Sequence, residues 1–180
     1  MARKPKFTRA QVKNHIKNIQ EAMDKQKREH EQKGRRFVYI TPEEIEKKLR
    51  RANSPFFIGQ AFGPPPSPGG SFNYGVYAYN PDAKPAYNLY GLIWVGSGNV
   101  DPAVGTFLLN VDTRFPRLTQ PQGIDGLQLD PSTTGSLEFT VQVPTTVERT
   151  TYFLQSCLMQ VNWWDVGKYV DRAMFPLEVR

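Results

Sequence analysis

Apolar and polar residues alternate along most of the chain after residue 55, which is the pattern of β-strands with one buried face. The clearest alternation is L-E-F-T-V-Q-V at residues 137–143, where every second side chain is apolar. The longest apolar-rich run without Gly or Pro covers residues 150–162, and it is apolar on both alternating faces. A strand of this kind is covered on both sides, so residues 150–162 are predicted to lie in the centre of a sheet.

Turn-forming residues divide the chain after residue 55 into short alternating segments with no helical period between them. Residues 113–134, rich in Pro, Gly, Gln and Asp, are expected to form a long connection. The pattern predicts a mainly β fold, an antiparallel β-sandwich of about seven strands with immunoglobulin-like or jelly-roll-like connections. The predicted strands are residues 55–63, 71–80, 87–95, 105–112, 137–143, 150–162 and 168–179.

The N-terminal part follows a helical pattern instead. Thr8 can cap a helix over residues 9–33, which the following glycine would end. Thr41 and Glu44 can form a capping box, with the intervening proline in the first helical position. This second helix is expected to run to about Ala52.

Two parts of the chain follow from these patterns. Residues 1–54 are predicted to form a basic helical arm of two helices, and residues 55–180 the β-sandwich domain. Within the arm, residues 1–7 are expected to be a frayed basic leader. F-V-Y-I at residues 37–40 can form a short edge strand between the two helices.

The first helix carries a narrow apolar stripe with spacings of four, three and four residues, which fades after about two heptads. Such a stripe docks on a core or on a sister helix. Two adjacent tryptophans follow the long strand at the point where it leaves the core, and they can form a contact surface. The candidate partner-binding residues are Val12, Ile16, Ile19, Met23, Trp163 and Trp164.

The net charge of +6 hides a division between the two parts. Residues 1–54 hold 16 Lys/Arg and 7 Asp/Glu, a net charge of +9, whereas residues 55–180 hold 7 and 10, a net charge of −3. This asymmetry suggests an anionic partner for the arm, or contact between the halves. The candidate anion-binding residues are Arg35, Arg36, Lys47, Lys48, Arg50 and Arg51, of which the last four also complement the dipole at the end of the second helix.

Catalytic and metal-binding patterns are absent from the sequence. His15 and His30 lie in the basic helix without a second ligand at metal-binding spacing, and no phosphate-binding glycine motif occurs. Cys157 lies in mid-strand among apolar neighbours and is expected to be a buried, inert thiol. Glu138 is the carboxylate best placed on a strand, and it is expected to face solvent. We therefore predict a protein that is not an enzyme, with no cofactor and no metal.

The expected compartment is the cytoplasm. A single cysteine permits no intramolecular disulfide, which fits a reducing environment. The N-terminal M-A-R-K-P-K-F is not followed by an apolar segment, so no secretory signal is predicted. No apolar run approaches the roughly 20 residues of a membrane-spanning helix, and no membrane span is predicted.

P-G-G-S-F-N-Y-G-V-Y-A-Y-N-P at residues 68–81 resembles the second strand of bacterial immunoglobulin-like adhesion or CARDB-type domains. The resemblance covers about a tenth of the chain and implies a fold and a bias towards binding or assembly roles. The chain departs from true immunoglobulin domains, because Cys157 has no second cysteine and Gln155 replaces the tyrosine two residues before it. No functional residue is carried over from this resemblance.

Three functions remain open at this stage. The first is a structural or interaction protein whose arm mediates self-assembly into a homo-oligomer or docking to a protein partner. The second is a nucleic-acid-associated protein that binds through residues 1–54, although acidic residues are interspersed there. The third is a carbohydrate-binding module or small hydrolase, for which the aromatic candidates are Tyr87, Tyr90, Trp94, Trp163 and Trp164.

Overall fold

The computed structural model describes residues 4–51, 54–96, 111–123, 125–161 and 168–180. These residues form two helices and nine strands. In chain order the elements are α1 (Arg9–Gln32), β1 (Arg36–Tyr39), α2 (Pro42–Leu49), β2 (Phe56–Phe62), β3 (Ser71–Tyr79), β4 (Ala86–Gly96), β5 (Leu118–Gln120), β6 (Leu127–Leu129), β7 (Thr134–Gln142), β8 (Thr151–Gln160) and β9 (Lys168–Glu178).

Both helices begin at the predicted caps. The Thr8 side chain accepts a hydrogen bond from the backbone N–H of Gln11, and the Gln11 side chain accepts one from the backbone N–H of Thr8, which completes a capping box. At α2, the Thr41 side chain accepts a hydrogen bond from the backbone N–H of Glu44 at 3.2 Å. The helix ends at Leu49, so its expected extension to Ala52 is wrong by about one turn.

The strands form two antiparallel sheets. The front sheet has the order β1-β2-β3-β7, and the back sheet has the order β5-β4-β8-β9, with β6 also paired to β4. The pairings β2-β3-β7 and β4-β8-β9 reproduce the A-B-E and C-F-G neighbours of immunoglobulin-like domains. Of the two predicted types of connection, the structure therefore has the immunoglobulin-like one. The run at residues 150–162 became β8, which lies between β4 and β9 as expected of a central strand.

The strand count differs from the prediction in one region. Six of the seven predicted strands are present, and the seventh, at residues 105–112, lies outside the described residues except for Val111, which forms a bridge to Gly96. The expected long connection at 113–134 contains β5 and β6, which were missed. Each is three residues long, too short for an alternating pattern to distinguish it from a loop.

The space between the sheets is filled by the alternating apolar side chains. Leu137 and Phe139 of β7 face Gly91 of β4 so closely that a methyl group on Gly91 would come within 2.8 Å of Leu137. From β8, Tyr152, Leu154 and Leu158 enter the same core. The predicted alternation of residues 137–143 is confirmed.

A second core lies on the outer face of the front sheet, under the helices. Ile19 and Met23 of α1 and Ile45 of α2 are fully buried there, against Ile58 of β2 and Tyr79 of β3. The molecule therefore has three layers: helices, front sheet and back sheet. This arrangement explains why β2 is apolar on both faces, since one face meets the back sheet and the other meets the helices.

Candidate functional site

The N-terminal segment before α1 is held against the body of the protein. Lys6 donates a hydrogen bond to the Ser54 hydroxyl at 2.9 Å and forms an ion pair with Asp82 at 2.7 Å. The Phe7 ring packs edge-on against His15, with 5.1 Å between ring centroids. The expectation of a frayed leader is therefore wrong for residues 4–7, because these contacts order the segment.

A groove of about 970 Å³ lies between this segment, the first two turns of α1 and the end of α2. Its floor is apolar, and its rim carries six cations and one carboxylate, Glu46. We call it the basic groove. The cations are Lys4, Lys6, Arg9, Lys13, Arg50 and Arg51, and the apolar residues are Phe7, Val12, Ile16 and Leu49.

The apolar stripe of α1 has two environments. Ile19 and Met23 have no exposed surface and belong to the core under the helices. Val12 and Ile16 are half-buried and line the basic groove. All four stripe residues therefore help to dock α1, with Ile19 and Met23 inside the core and Val12 and Ile16 packed against its edge, where they remain partly exposed in the groove.

The rim of the basic groove has a positive potential that its acids do not cancel. Arg50 is paired with Glu46 at 2.6 Å, and Lys6 with Asp82. Lys4, Arg9 and Lys13 make no ion pair within the part of the chain that the structure describes. Like charges around a concave surface concentrate the field, so the groove attracts anionic groups.

Lys48 points away from the groove and into the protein. Its Nζ lies 2.7 Å from Oδ2 of Asp171 on β9 and donates to the backbone carbonyl of Phe57 at 2.8 Å. The same Asp171 oxygen accepts from the backbone N–H of Phe57. Arg51 lies 4.0 Å from the other oxygen of Asp171 while its side chain remains 55% exposed. This cluster joins α2, β2 and β9.

The remaining anion-binding candidates are dispersed. Arg35 lies 3.9 Å from Glu138 on β7, and Arg36 lies over the Phe62 ring, 5.9 Å from its centroid. Lys47 is exposed on α2 and does not line the groove. Of the six candidates, Arg50 and Arg51 line the basic groove, and Arg51 also meets Lys48 at Asp171. The lysines and arginines of residues 4–13 were missed as site residues, although the charge of the leader was visible in the sequence.

Both histidines anchor α1 to β3 by hydrogen bonds to tyrosine. His15 Nδ1 and the Tyr79 hydroxyl are 2.6 Å apart, and so are His30 Nε2 and the Tyr77 hydroxyl. Burial lowers the pKa of both imidazoles, with Asp82 opposing this effect at His15. The two rings are therefore structural contacts of the helical layer, and their burial favours the neutral form.

Within the described part of the chain, neither histidine lies beside Cys157. The thiol is buried, and burial together with Asp171 raises its pKa to about 12. The histidines lie on the far side of the front sheet, in α1. Among the described residues, no three His, Cys, Asp or Glu side chains form a group that could hold a metal ion.

The aromatic candidates for a sugar platform do not share one exposed surface. Tyr90 and Trp94 are buried, whereas Tyr87 is 52% exposed. Trp163 and Trp164 lie outside the described residues. Glu138 is exposed, as expected, beside Arg35.

No family model and no curated protein matches the chain. Among solved structures it is similar to the C-terminal domain of Wzt (10% identity, TM-score 0.48, covering 66% of this chain and 64% of that one) and to a β-glucuronidase from Bacteroides uniformis (12%, 0.46, covering 67% and 13%). It is also similar to a CARDB domain from Pyrococcus furiosus (11%, 0.41, covering 67% and 84%), the type that residues 68–81 resemble.

The chain thus spans less than two thirds of the Wzt domain and about an eighth of the glucuronidase. Likeness at these identities transfers no activity, substrate or partner to this chain. Within the described residues, neither helix is long and apolar enough to cross a membrane.

Proposed function

We propose that this protein is a non-enzymatic interaction module in which the sandwich is the body and the basic groove is the docking site for a partner. The observation that carries the proposal is the groove itself. It combines accessible apolar residues, Val12 and Ile16, with a rim of cations in one concave surface. Protein interfaces have this composition, with an apolar centre and a polar rim.

The attachment of the helical layer supports this role. α1 is fixed to the front sheet by buried Ile19 and Met23 and by the hydrogen bonds of His15 and His30 to tyrosines. A site on a rigid element loses little conformational freedom when it binds a partner. The groove is therefore preorganised, unlike the flexible arm that a charge count alone would suggest.

Site-specific photo-cross-linking tests the proposal. A photoreactive amino acid is placed at Val12, in the groove floor, and in a control protein at Lys25, which is exposed on the second half of α1. We expect a discrete adduct from position 12 and none from position 25. The mass of the adduct shows whether the partner is a second copy, another protein or a nucleic acid. Absence of an adduct, or the same adducts from both positions, would contradict the proposal.

Self-assembly cannot be tested by deleting the helical part of the chain. Deleting residues 1–54 would remove the cover from Ile58, Tyr77 and Tyr79, which are buried under the helices. The truncated protein would expose an apolar sheet face and associate for that reason alone. Point variants of the groove, measured by light scattering, avoid this artefact.

Nucleic-acid association is the second candidate function, and the six cations of the groove favour it. Binding to phosphates would weaken steeply with salt, because each contact releases condensed counterions. This second candidate would be supported if the logarithm of the binding constant fell linearly with the logarithm of the salt concentration. The slope should be shallower in an Arg9→Glu, Lys13→Glu variant. Absence of binding to single-stranded and duplex DNA at low salt would eliminate it.

A further inference from the structure

The floor of the basic groove has the spacing of a helix–helix contact. Val12 and Ile16 are four residues apart, so they lie one turn apart on the same face of α1. Both are half-buried, with Leu49 of α2 behind them. A helix whose apolar residues repeat every three or four positions presents the complementary stripe, which is the usual geometry of a helix bound in a groove.

The rim defines the charge of such a helix. Arg9 and Lys13 are also four residues apart, and both are exposed beside the floor. Neither these two residues nor Lys4, which also lines the groove, form an ion pair among the described residues. Carboxylates flanking the apolar stripe of an incoming helix would be the complementary groups.

Two other anionic partners fit the surface less well. Single-stranded nucleic acid stacks its bases on exposed aromatic faces, and the groove has one aromatic ring, Phe7, already packed against His15. A bilayer requires apolar side chains that protrude beyond the charged ones. Here the apolar residues form the floor, and the cations lie around them.

A second copy of the chain does not supply the required helix from its described elements. α1 is basic, and its apolar residues serve its own core and the groove floor. α2 has acidic residues in its first turn, Glu43 and Glu44, but its Ile45 and Leu49 are buried in the chain's own core. The occupant is therefore a different protein.

We propose that the basic groove binds a short, acidic amphipathic helix of a second, different protein. The inference rests on the proposed function, because it requires the groove to be a docking site. It adds the class of partner and the sign of the partner's charge. Val12 and Ile16 contact the apolar stripe of the partner helix, and Arg9 and Lys13 contact its carboxylates.

Fluorescence anisotropy with defined probes tests this assignment on the full-length protein. The principal probe is a labelled peptide of about 14 residues with Leu at helical spacing and Glu elsewhere. A second peptide has the same composition with the Leu residues spread around the helix. A single-stranded oligonucleotide of similar length and vesicles containing phosphatidylserine complete the set, all at about 0.1 M salt.

The variants separate specific binding from general charge attraction. Arg9→Glu with Lys13→Glu changes the rim, and Ile16→Ser changes the floor. The matched control is Lys25→Glu with Arg28→Glu, which alters the charge of α1 equally on exposed residues outside the groove. Arg9→Glu places an acid in the first turn of α1, where the helix dipole favours it, so loss of folding is not expected.

We expect the amphipathic peptide to bind at least about tenfold more tightly than its dispersed counterpart. The rim variant and Ile16→Ser should each weaken that binding at least about tenfold, and the control variant less than about threefold. Equal binding of the two peptides, or equal loss in the control, would overturn the inference. If the oligonucleotide or the vesicles instead bind in a manner that depends on Arg9 and Lys13, the assigned partner is wrong and the docking groove stands. If no probe depends on those residues, the proposed function fails as well.

Discussion

The ammonium group of Lys48 and the carboxylate of Asp171 form an ion pair of 2.7 Å between residues 123 positions apart in the chain. Lys48 belongs to α2 and Asp171 to β9, and their side chains are 15% and 7% exposed. Asp171 also accepts the backbone N–H of Phe57 at the start of β2. This one carboxylate therefore connects the helical layer to both sheets.

Removing Lys48 should destabilise the protein by about 3 kcal/mol, because Asp171 would be left as a buried charge without its closest cationic partner and with only the more exposed Arg51 at 4.0 Å. A Lys48→Met variant tests this by urea denaturation. The double variant Lys48→Met, Asp171→Leu should recover part of the loss, since it removes the unpaired charge. Lys47→Met, which changes the neighbouring exposed lysine, should stay within about 0.5 kcal/mol of the parent. Equal effects of the Lys47 and Lys48 changes would show that the pair is not important for stability.

The two halves of the apolar stripe on α1 should differ in their contribution to stability. Ile19 is fully buried, so Ile19→Ala should cost about 3 kcal/mol by leaving a cavity. Ile16 is half-buried and packs against the edge of that core, so Ile16→Ala should cost less, about 1–2 kcal/mol. Chemical denaturation of both variants measures the difference. Similar costs would mean that α1 is docked in a different orientation.

Stability should fall as the pH is lowered from 7.5 to 5.5. The pKa values of His15 and His30 are lowered in the folded protein, whereas an unfolded histidine titrates near pH 6.5. Below about pH 6.5 the unfolded chain therefore binds protons that the folded chain does not, and the free energy of unfolding decreases until the lowered folded pKa values are reached. Urea midpoints at a series of pH values measure this.

The corresponding variants distinguish the histidines from other groups. His15→Gln and His30→Gln should each reduce the change between pH 7.5 and 5.5, whatever their own cost in stability. A hydrogen bond from Arg114 lowers the pKa of Asp112, and hydrogen bonds from its own backbone N–H, then from Tyr152 and Arg114, lower the pKa of Glu148. The stability that these two carboxylates contribute is lost at lower pH, below about 4.5. An unchanged pH dependence in both histidine variants would contradict this assignment.

The rate at which Cys157 reacts with thiol reagents should be limited by the rate at which the folded structure opens. Its side chain is buried, and a pKa raised to about 12 leaves almost no thiolate at pH 8. Labelling by an aromatic disulfide should be slow in buffer and fast in denaturant. Cys157→Ser should destabilise by about 1–3 kcal/mol, because it buries a hydroxyl in place of a thiol. Rapid labelling of the native protein would show that β8 is more accessible than the structure indicates.

Local patterns were sufficient for most of the elements. The alternation at residues 137–143 and the two-sided apolar run at 150–162 determined β7 and the central strand β8, since a strand with two apolar faces must be covered on both. Thr8 and Thr41 fixed the starts of the helices, because a cap is satisfied by neighbouring backbone groups. The short strands β5 and β6 depend on pairing with β4, and three residues hold no periodic signal.

The candidate site could be predicted only in part. The excess of positive charge in the first 54 residues was evident from the sequence, and so was the apolar stripe of α1. Which cations share a surface depends on the path of the chain. Lys6 forms an ion pair with Asp82, which holds residues 4–7 against the protein and adds Lys4 and Lys6 to the groove, whereas Asp171 binds Lys48 in the interior.

The sequence by itself determined six of the strands, the helix caps, the division of charge and the burial of Cys157, because each follows from neighbours along the chain. The tertiary structure decided that α1 covers the front sheet and that its stripe is divided between a core and a groove. It also decided which charges are neutralised. These outcomes depend on contacts between residues far apart in sequence, such as Lys48 with Asp171, and no local pattern encodes which distant partner a side chain will meet.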